Sequence, residues 1–331
     1  MIEVSHLTKS YRVHKRAPGA IAALKSVFRR KFESVEAIRD LSFSIAAGER
    51  VGFLGPNGAG KTTTLKILSG LLHPTSGHAT VFGFTPHARQ VNFLQTITLV
   101  MGQKQQLLWD LPPAETYAMN CAIYDLPKAE AQHTLATLIE LLEVSELVDK
   151  PTRQLSLGER MKCELVAALL HKPKVLFLDE PTIGLDVSMQ ARMRQFIKRY
   201  NEEFGATVIL TSHYMEDVAA LCPRVVIIDK GKLIYDGDLK ALVKRIRPER
   251  RMTIGLSAAV AASALASLGT VVSHEEARCV ISVPAERVND AVKHAFAMLP
   301  VAELTIEDPP LEDVMRELFA QSATPTATPA S

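Results

Sequence analysis

Residues 51–72 read VGFLGPNGAGKTTTLKILSGLL. A four-residue apolar strand, VGFL, comes first and a helical pattern, KTTTLKILSGLL, comes last. Between and into them stand Gly55, Pro56, Asn57, Gly58, Ala59, Gly60, Lys61, Thr62 and Thr63. Three glycines let successive backbone N–H groups turn inward around a string of phosphates. The ammonium of Lys61 is then placed for the β- and γ-phosphates and the Thr62 hydroxyl for Mg²⁺. The plain alternative is a glycine-rich strand-to-helix turn with no ligand. Strand, loop, Lys-Thr pair and helix in register favour the phosphate loop, and with it an α/β P-loop NTPase.

Working outward, short apolar runs recur at 97–101, 175–178, 207–211 and 225–228, the mark of strands buried on both faces. Helical candidates lie at 61–71, 129–143, 157–170 and 188–203, the last opening after Asp186 and Ser188 and closing at Gly205. The run VLFLDEPT, residues 175–182, delivers two carboxylates at the C-terminal end of its strand, the edge where open α/β sheets bind ligands. Asp179 suits Mg²⁺, directly or through water. Glu180, one residue on, points to the other side of the strand end and suits a general base acting on water in line with a γ-phosphate. Two solvated acids at a strand end are the alternative, and the P-loop weighs against it.

A third stretch, QLSLGERMKCELVAAL at 154–169, reads two ways. Ser156 and Glu159 form the reciprocal cap that opens many ordinary helices. The same helix end, with its free N–H groups and Gly158 leaving room for close approach, also suits a phosphate.

The chain has 331 residues, 47% of them apolar, which suggests roughly two domains of about 150 residues each. Lys and Arg number 38 against 36 Asp and Glu, so no global field announces nucleic acid as a partner. Cys121, Cys163, Cys222 and Cys279 have no paired spacing, which argues against a zinc site or a disulfide framework. No signal peptide and no run of about 18 apolar residues is seen, so the chain is expected not to span a membrane alone. A break near residue 245 sets residues 1–244 apart from 245–320. The second part reads strand 252–256, helix 258–268, strands 270–274 and 278–283, helix 285–298, strand 301–306 and helix 310–320. That βαββαβ order predicts a small α+β, ferredoxin-like domain. The closing residues 321–331, ending ATPTATPAS, are expected to be disordered.

Over residues 1–240 the succession of motifs resembles the ATP-binding subunit of ABC transporters, with its helical signature subdomain. The resemblance implies that Tyr11 stacks on adenine and that Gln103, in LVMGQKQQ, senses the γ-phosphate and joins Thr62 and Asp179 at Mg²⁺. It implies that His213, in ILTSHYMED, positions the attacking water and that Asp186, in Gly184-Leu185-Asp186, couples two ATP sites. Tyr11, Gln103 and His213 each read alone more readily as structural. Two cassettes are implied to meet head to tail, as a homodimer or heterodimer, so that Ser156, Gly158 and Glu159 of one close over the phosphate held by the other. Leu157 and Glu159 depart from the common LSGGQ form, where glycine and glutamine stand.

Three classes compete on the residues: a transporter motor, a soluble ABC ATPase acting on ribosomes or DNA, and a P-loop kinase. One P-loop, no long coiled coil and no zinc cysteines argue against the second, and the signature and His213 have no task in the third. The resemblance therefore implies an ATPase, using ATP and Mg²⁺, at the cytoplasmic face of the inner membrane. It would drive separate transmembrane permease subunits through the region of Gln103 to Glu115. The single cassette with an appendage is similar to the drug-efflux or ABC-2 branch. The insert after Tyr11 and the stretch WDLPPAETY resemble the subgroup labelled viologen exporter ATP-binding proteins. Residues 12–32, within an insert spanning about 12–34, carry seven Lys or Arg and no acid, with Ile21, Leu24, Phe28 and Phe32 at helical spacing. A basic amphipathic helix is predicted there, resting on the membrane subunit or the anionic leaflet, or else packed on the domain with its basic face in water.

Overall fold

The computed structural model describes residues 1–14, 32–102 and 106–323. The chain divides between Asp236 and Gly237 into two compact units.

In the first unit, strands β1 (Ile2–His14), β2 (Phe32–Ile45) and β4 (Ser76–Val81) form an antiparallel sheet ordered β2-β1-β4. The second sheet holds β3 (Arg50–Leu54), β5 (Ile97–Met101), β6 (Val175–Asp179), β7 (Thr207–Thr211), β8 (Arg224–Asp229) and β9 (Lys232–Asp238). Its order is β5-β6-β7-β3-β8-β9, with the pairs from β5 through to β8 parallel. Five of its strands coincide with the apolar runs of the sequence, because a parallel strand covered on both faces has no polar alternation to interrupt it. Ile2, Leu7, Ile38 and Leu41 of the first sheet share one core with Phe53, Phe177 and Ile209 of the second and with Leu65 and Leu68 of helix Lys61–Leu68. Helices Pro113–Ile123, Lys128–Leu142 and Leu157–Leu169 form the helical layer expected from the signature.

The arms β1 and β2 had no strand assigned from sequence. Bulges between Val4 and Leu7 and again between Leu7 and Lys9 shift the register of β1. The buried side chains Ile2, Val4 and Leu7 therefore do not keep a two-residue period. The same arms correct the expected basic helix at its ends: residues 12–14 close β1 and Phe32 opens β2. Residues 15–31, the rest of that helix, lie outside the described residues, as does Gln103.

The second unit carries β10 (Glu249–Leu256), β11 (Thr270–Glu275), β12 (Arg278–Pro284) and β13 (Val301–Glu307) in one sheet ordered β11-β12-β10-β13. All neighbours are antiparallel. Met252, Ile254, Cys279 and Ile281 point from it onto Leu265, Leu268, Ala291 and Ala295. The helix expected over 258–268 is a single turn, Ala262–Leu265, and helix Val288–Met298 completes that layer. Helix Leu311–Ala323 runs into the stretch expected to be disordered, which corrects residues 321–323; residues 324–331 lie outside the described residues. Residues 237–244, set in the first part by the break expected near residue 245, fall in this unit, which opens with helix Leu239–Ile246.

Candidate functional site

The C-terminal ends of β3, β6 and β7 bring the predicted chemistry together. After β3 the loop Gly55–Gly60 turns into helix Lys61–Leu68. Gly60 caps that helix in a left-handed conformation, φ 108°, and a side chain there would lie 2.5 Å from the Ala37 carbonyl oxygen. The backbone thus passes where only glycine fits. Pro56, Asn57 and Gly58 are exposed, so the loop presents its face to solvent, whereas Ala59 is buried and anchors it. The Lys61 ammonium donates to the carbonyls of Gly55 at 2.6 Å and Pro56 at 3.2 Å, curled over the loop it would share with phosphate. Burial pulls its pKa below the usual lysine value, against the opposing pull of Glu180 and Asp179. Thr63 continues the helix beside Thr62, half-buried.

Asp179 ends β6 and is held from two sides: the Thr62 hydroxyl donates to Oδ2 at 2.9 Å and the Thr211 hydroxyl to Oδ1 at 2.6 Å. One carboxylate beside one hydroxyl, open toward the phosphate loop, suits Mg²⁺, which favours few protein oxygens and keeps its waters and phosphate ligands. Among the described residues no three His, Cys, Asp or Glu side chains gather as a richer metal site.

Glu180 follows in a left-handed conformation, φ 55°, rare for a residue with a side chain. Its N–H donates to the Thr211 carbonyl at 3.0 Å, so the strain is held by the neighbouring strand end. Its Oε1 lies 2.9 Å from Nε2 of His213, which follows β7. Gly102, immediately before Gln103, donates its N–H to the Asp179 carbonyl at 3.0 Å. A side chain at Gly102 would collide with the Glu180 carbonyl oxygen. The end of β5 is therefore pinned against the two acids.

Elsewhere the predicted residues stand apart from this cluster. Tyr11 is exposed on β1 opposite Val35, with the Lys9 ammonium 5.3 Å from its ring centre. Ser156 and Glu159 form the predicted reciprocal cap: the Glu159 N–H donates to Ser156 Oγ at 3.3 Å and the Ser156 N–H to Glu159 Oε2 at 2.8 Å. That backbone donor, then the Ser156 hydroxyl, hold the Glu159 carboxyl below its usual range. Gly158 makes room of another kind as well, since a side chain there would press on Met189 at 3.3 Å. Asp186 caps helix Val187–Phe204, accepting from the Met189 N–H and the Ser188 hydroxyl, both at 2.9 Å. Those two donors, the backbone one first, lower its pKa.

Thr211, Thr182 and Asp217 escaped the sequence reading. A signal was present for Thr211 alone: it and Ser212 are polar residues closing an otherwise apolar strand just before His213.

A family model described as ABC transporter matches residues 38–183, and one described as EvrA-like ABC transporter, C-terminal domain, matches residues 248–307. The chain is 34% identical to the linearmycin resistance ATP-binding protein LnrL of Bacillus subtilis strain 168, over 86% of this chain and 94% of that one. It is 36% identical to the Nod factor export ATP-binding protein I of Burkholderia orbicola, over 62% of this chain and 67% of that one. In fold it is similar to the dimeric, post-hydrolysis ATP-binding cassette MJ0796 bound to ADP and Pi, with a TM-score of 0.59 and 23% identity over 72% of this chain and 99% of that one.

Proposed function

This chain belongs to the ABC transporter family as an ATP-binding subunit and ATPase, and on that premise we propose that it is the motor of an exporter whose permease is made of separate transmembrane polypeptides. The observation that carries the proposal is the meeting of Lys61, Thr62, Asp179, Glu180 and His213 at neighbouring strand ends. The loop Gly55–Gly60 with Lys61 and Thr63 would hold the phosphates, and Tyr11 would stack on adenine. Thr62 and Asp179, with Gln103, would hold Mg²⁺, which when bound neutralises charge between the β- and γ-phosphates. Glu180 would take a proton from water, and His213, within hydrogen-bond reach of it, would orient that water against the γ-phosphate.

A γ-phosphate in the P-loop is covered on one face only. The helix end at Ser156, Gly158 and Glu159 of a second cassette would cover the other, with Asp186 of each chain at the seam. Support for pairing comes from the dimeric state of a structural relative of the same fold. Among the described residues no helix is long and apolar enough to cross a membrane. The proposed place is the cytoplasmic face of the inner membrane, held there by the permease.

Export is supported by what two relatives are named for, linearmycin resistance and Nod factor export. A viologen-exporter type rests on the insert after Tyr11 and on WDLPPAETY alone. We read the second unit as a ferredoxin-like accessory domain on the strand order β11-β12-β10-β13, with dimer support or regulation of the cassette as its task.

The test is recovery of the tagged full chain from gently solubilised membranes, with identification of what accompanies it. Helical membrane proteins in stoichiometric amount are expected, together with ATP hydrolysis that Lys61→Ala abolishes. A chain that hydrolyses ATP at full rate with no membrane partner in any preparation would contradict the motor assignment.

A further inference from the structure

Asp217, in helix Met215–Leu221, is wholly buried, and its carboxylate bonds to Thr182, Ser212 and Arg194. Its Oδ2 accepts from the hydroxyl of Thr182 at 2.5 Å and from the hydroxyl of Ser212 at 2.8 Å. Its Oδ1 accepts from the Arg194 guanidinium at 2.8 Å. Thr182 stands two residues after Glu180, and Ser212 directly before His213. Both hydroxyl residues are themselves buried, at 1% and 5% exposure.

The position of this carboxylate matters because of where the sheet ends. The β6–β7 ladder stops at Asp179 opposite Thr211. Beyond it, Glu180 and His213 ride on two separate loops, where the Glu180 N–H still reaches the Thr211 carbonyl at 3.0 Å and hydroxyl at 3.1 Å and the two side chains meet at 2.9 Å. One oxygen of Asp217 then bridges the two loops just past the point where the strands cease to do so. A buried carboxylate is costly unless its charge and lone pairs are met. Here Arg194 meets the charge from helix Val187–Phe204, and the first turn of its own helix favours an acid. Each loop thus gives one hydroxyl bond to a carboxylate that Arg194 fixes from the helix, which restrains the two loops relative to one another where proton transfer between Glu180, water and His213 depends on distance.

We propose that Asp217 is a positioning residue of the ATPase reaction, a clamp that sets the distance between Glu180 and His213 by binding Thr182 and Ser212 with one oxygen. The inference rests on the reading that Glu180 and His213 act on the water.

The test uses the full chain in its transporter complex and three changes. Thr182→Val with Ser212→Ala removes the two bridging hydroxyls and leaves the Asp217–Arg194 pair intact. Asp217→Asn removes the charge, and Asp217→Glu keeps the charge but lengthens the arm by one methylene. In the double variant kcat is expected to fall on the order of tenfold to a hundredfold. Its ATP affinity should stay near the parent's, while its melting temperature falls because Asp217 Oδ2 is left buried without its two donors. Asp217→Glu should likewise lose kcat more than KM. If Asp217→Asn fails to fold, the double variant still decides. A double variant with kcat within twofold of the parent would overturn the proposal, and so would a loss of kcat, measured well below the melting temperature, that is matched by an equal loss of ATP affinity. Glu180→Gln is the control for the underlying reading. If it turns over normally, the reading itself has failed; if it is dead and the double variant is normal, only the clamp has.

Discussion

Nε2 of His213 lies 2.9 Å from Oε1 of Glu180, although the two residues follow different strands. The imidazole is nearly half exposed, while the carboxylate is more enclosed. Such a pair can hold a water only if the histidine gives up this contact for the water or the phosphate. His213→Ala is therefore expected to leave ATP binding intact and to lower turnover by about a hundredfold. A fluorescent nucleotide titration beside a phosphate-release assay checks it, and a fall in affinity equal to the fall in rate would refute it.

Ser156 offers a way to separate cap from site. Aspartate caps helices as well as serine does, so Ser156→Asp should melt within a few degrees of the parent. It would, however, set a second negative charge against the γ-phosphate of the facing cassette, and turnover should fall by roughly a hundredfold or more. Ser156→Ala should cost about 1 kcal/mol through the lost cap. Unimpaired hydrolysis by Ser156→Asp would leave Ser156 as a cap and nothing more.

Glu164 predicts a pH dependence of stability. It sits in the signature helix at 2% exposure, with Oε2 lacking any hydrogen-bond partner among the described residues. Burial raises its carboxyl from 4.5 to about 7, opposed by the Gln106 backbone N–H and by Arg160. The folded chain thus binds this proton more tightly than the unfolded one. Stability from this group is full below about pH 4.5 and declines as pH rises to about 7. The loss is at most about 3 kcal/mol. Glu164→Gln should remove that decline, so its melting temperature should gain on the parent's from pH 5 to pH 8. Parallel melting curves across that range would contradict the assignment.

How much of this was legible follows from the kind of residue involved. The P-loop, the acidic strand end and His213 carry their chemistry in unbroken order, and parallel strands covered on both faces announce themselves as apolar runs. The antiparallel arms were hidden because bulges near Leu7 broke the alternation that would have marked them. The Ala-rich segment before Gly269 has helical composition, yet only Ala262–Leu265 forms helix. Asp217 was invisible for a different reason: its importance lies in reaching Thr182 and Ser212 at once, a relationship that no local spacing records.

The most direct measurement is phosphate release by Glu180→Gln, made on the full chain in its membrane-derived complex with MgATP. The account predicts that the variant keeps ATP bound, that release slows by at least about a hundredfold, and that paired cassettes accumulate. Release at the parent's rate, with no accumulation of pairs, would contradict it.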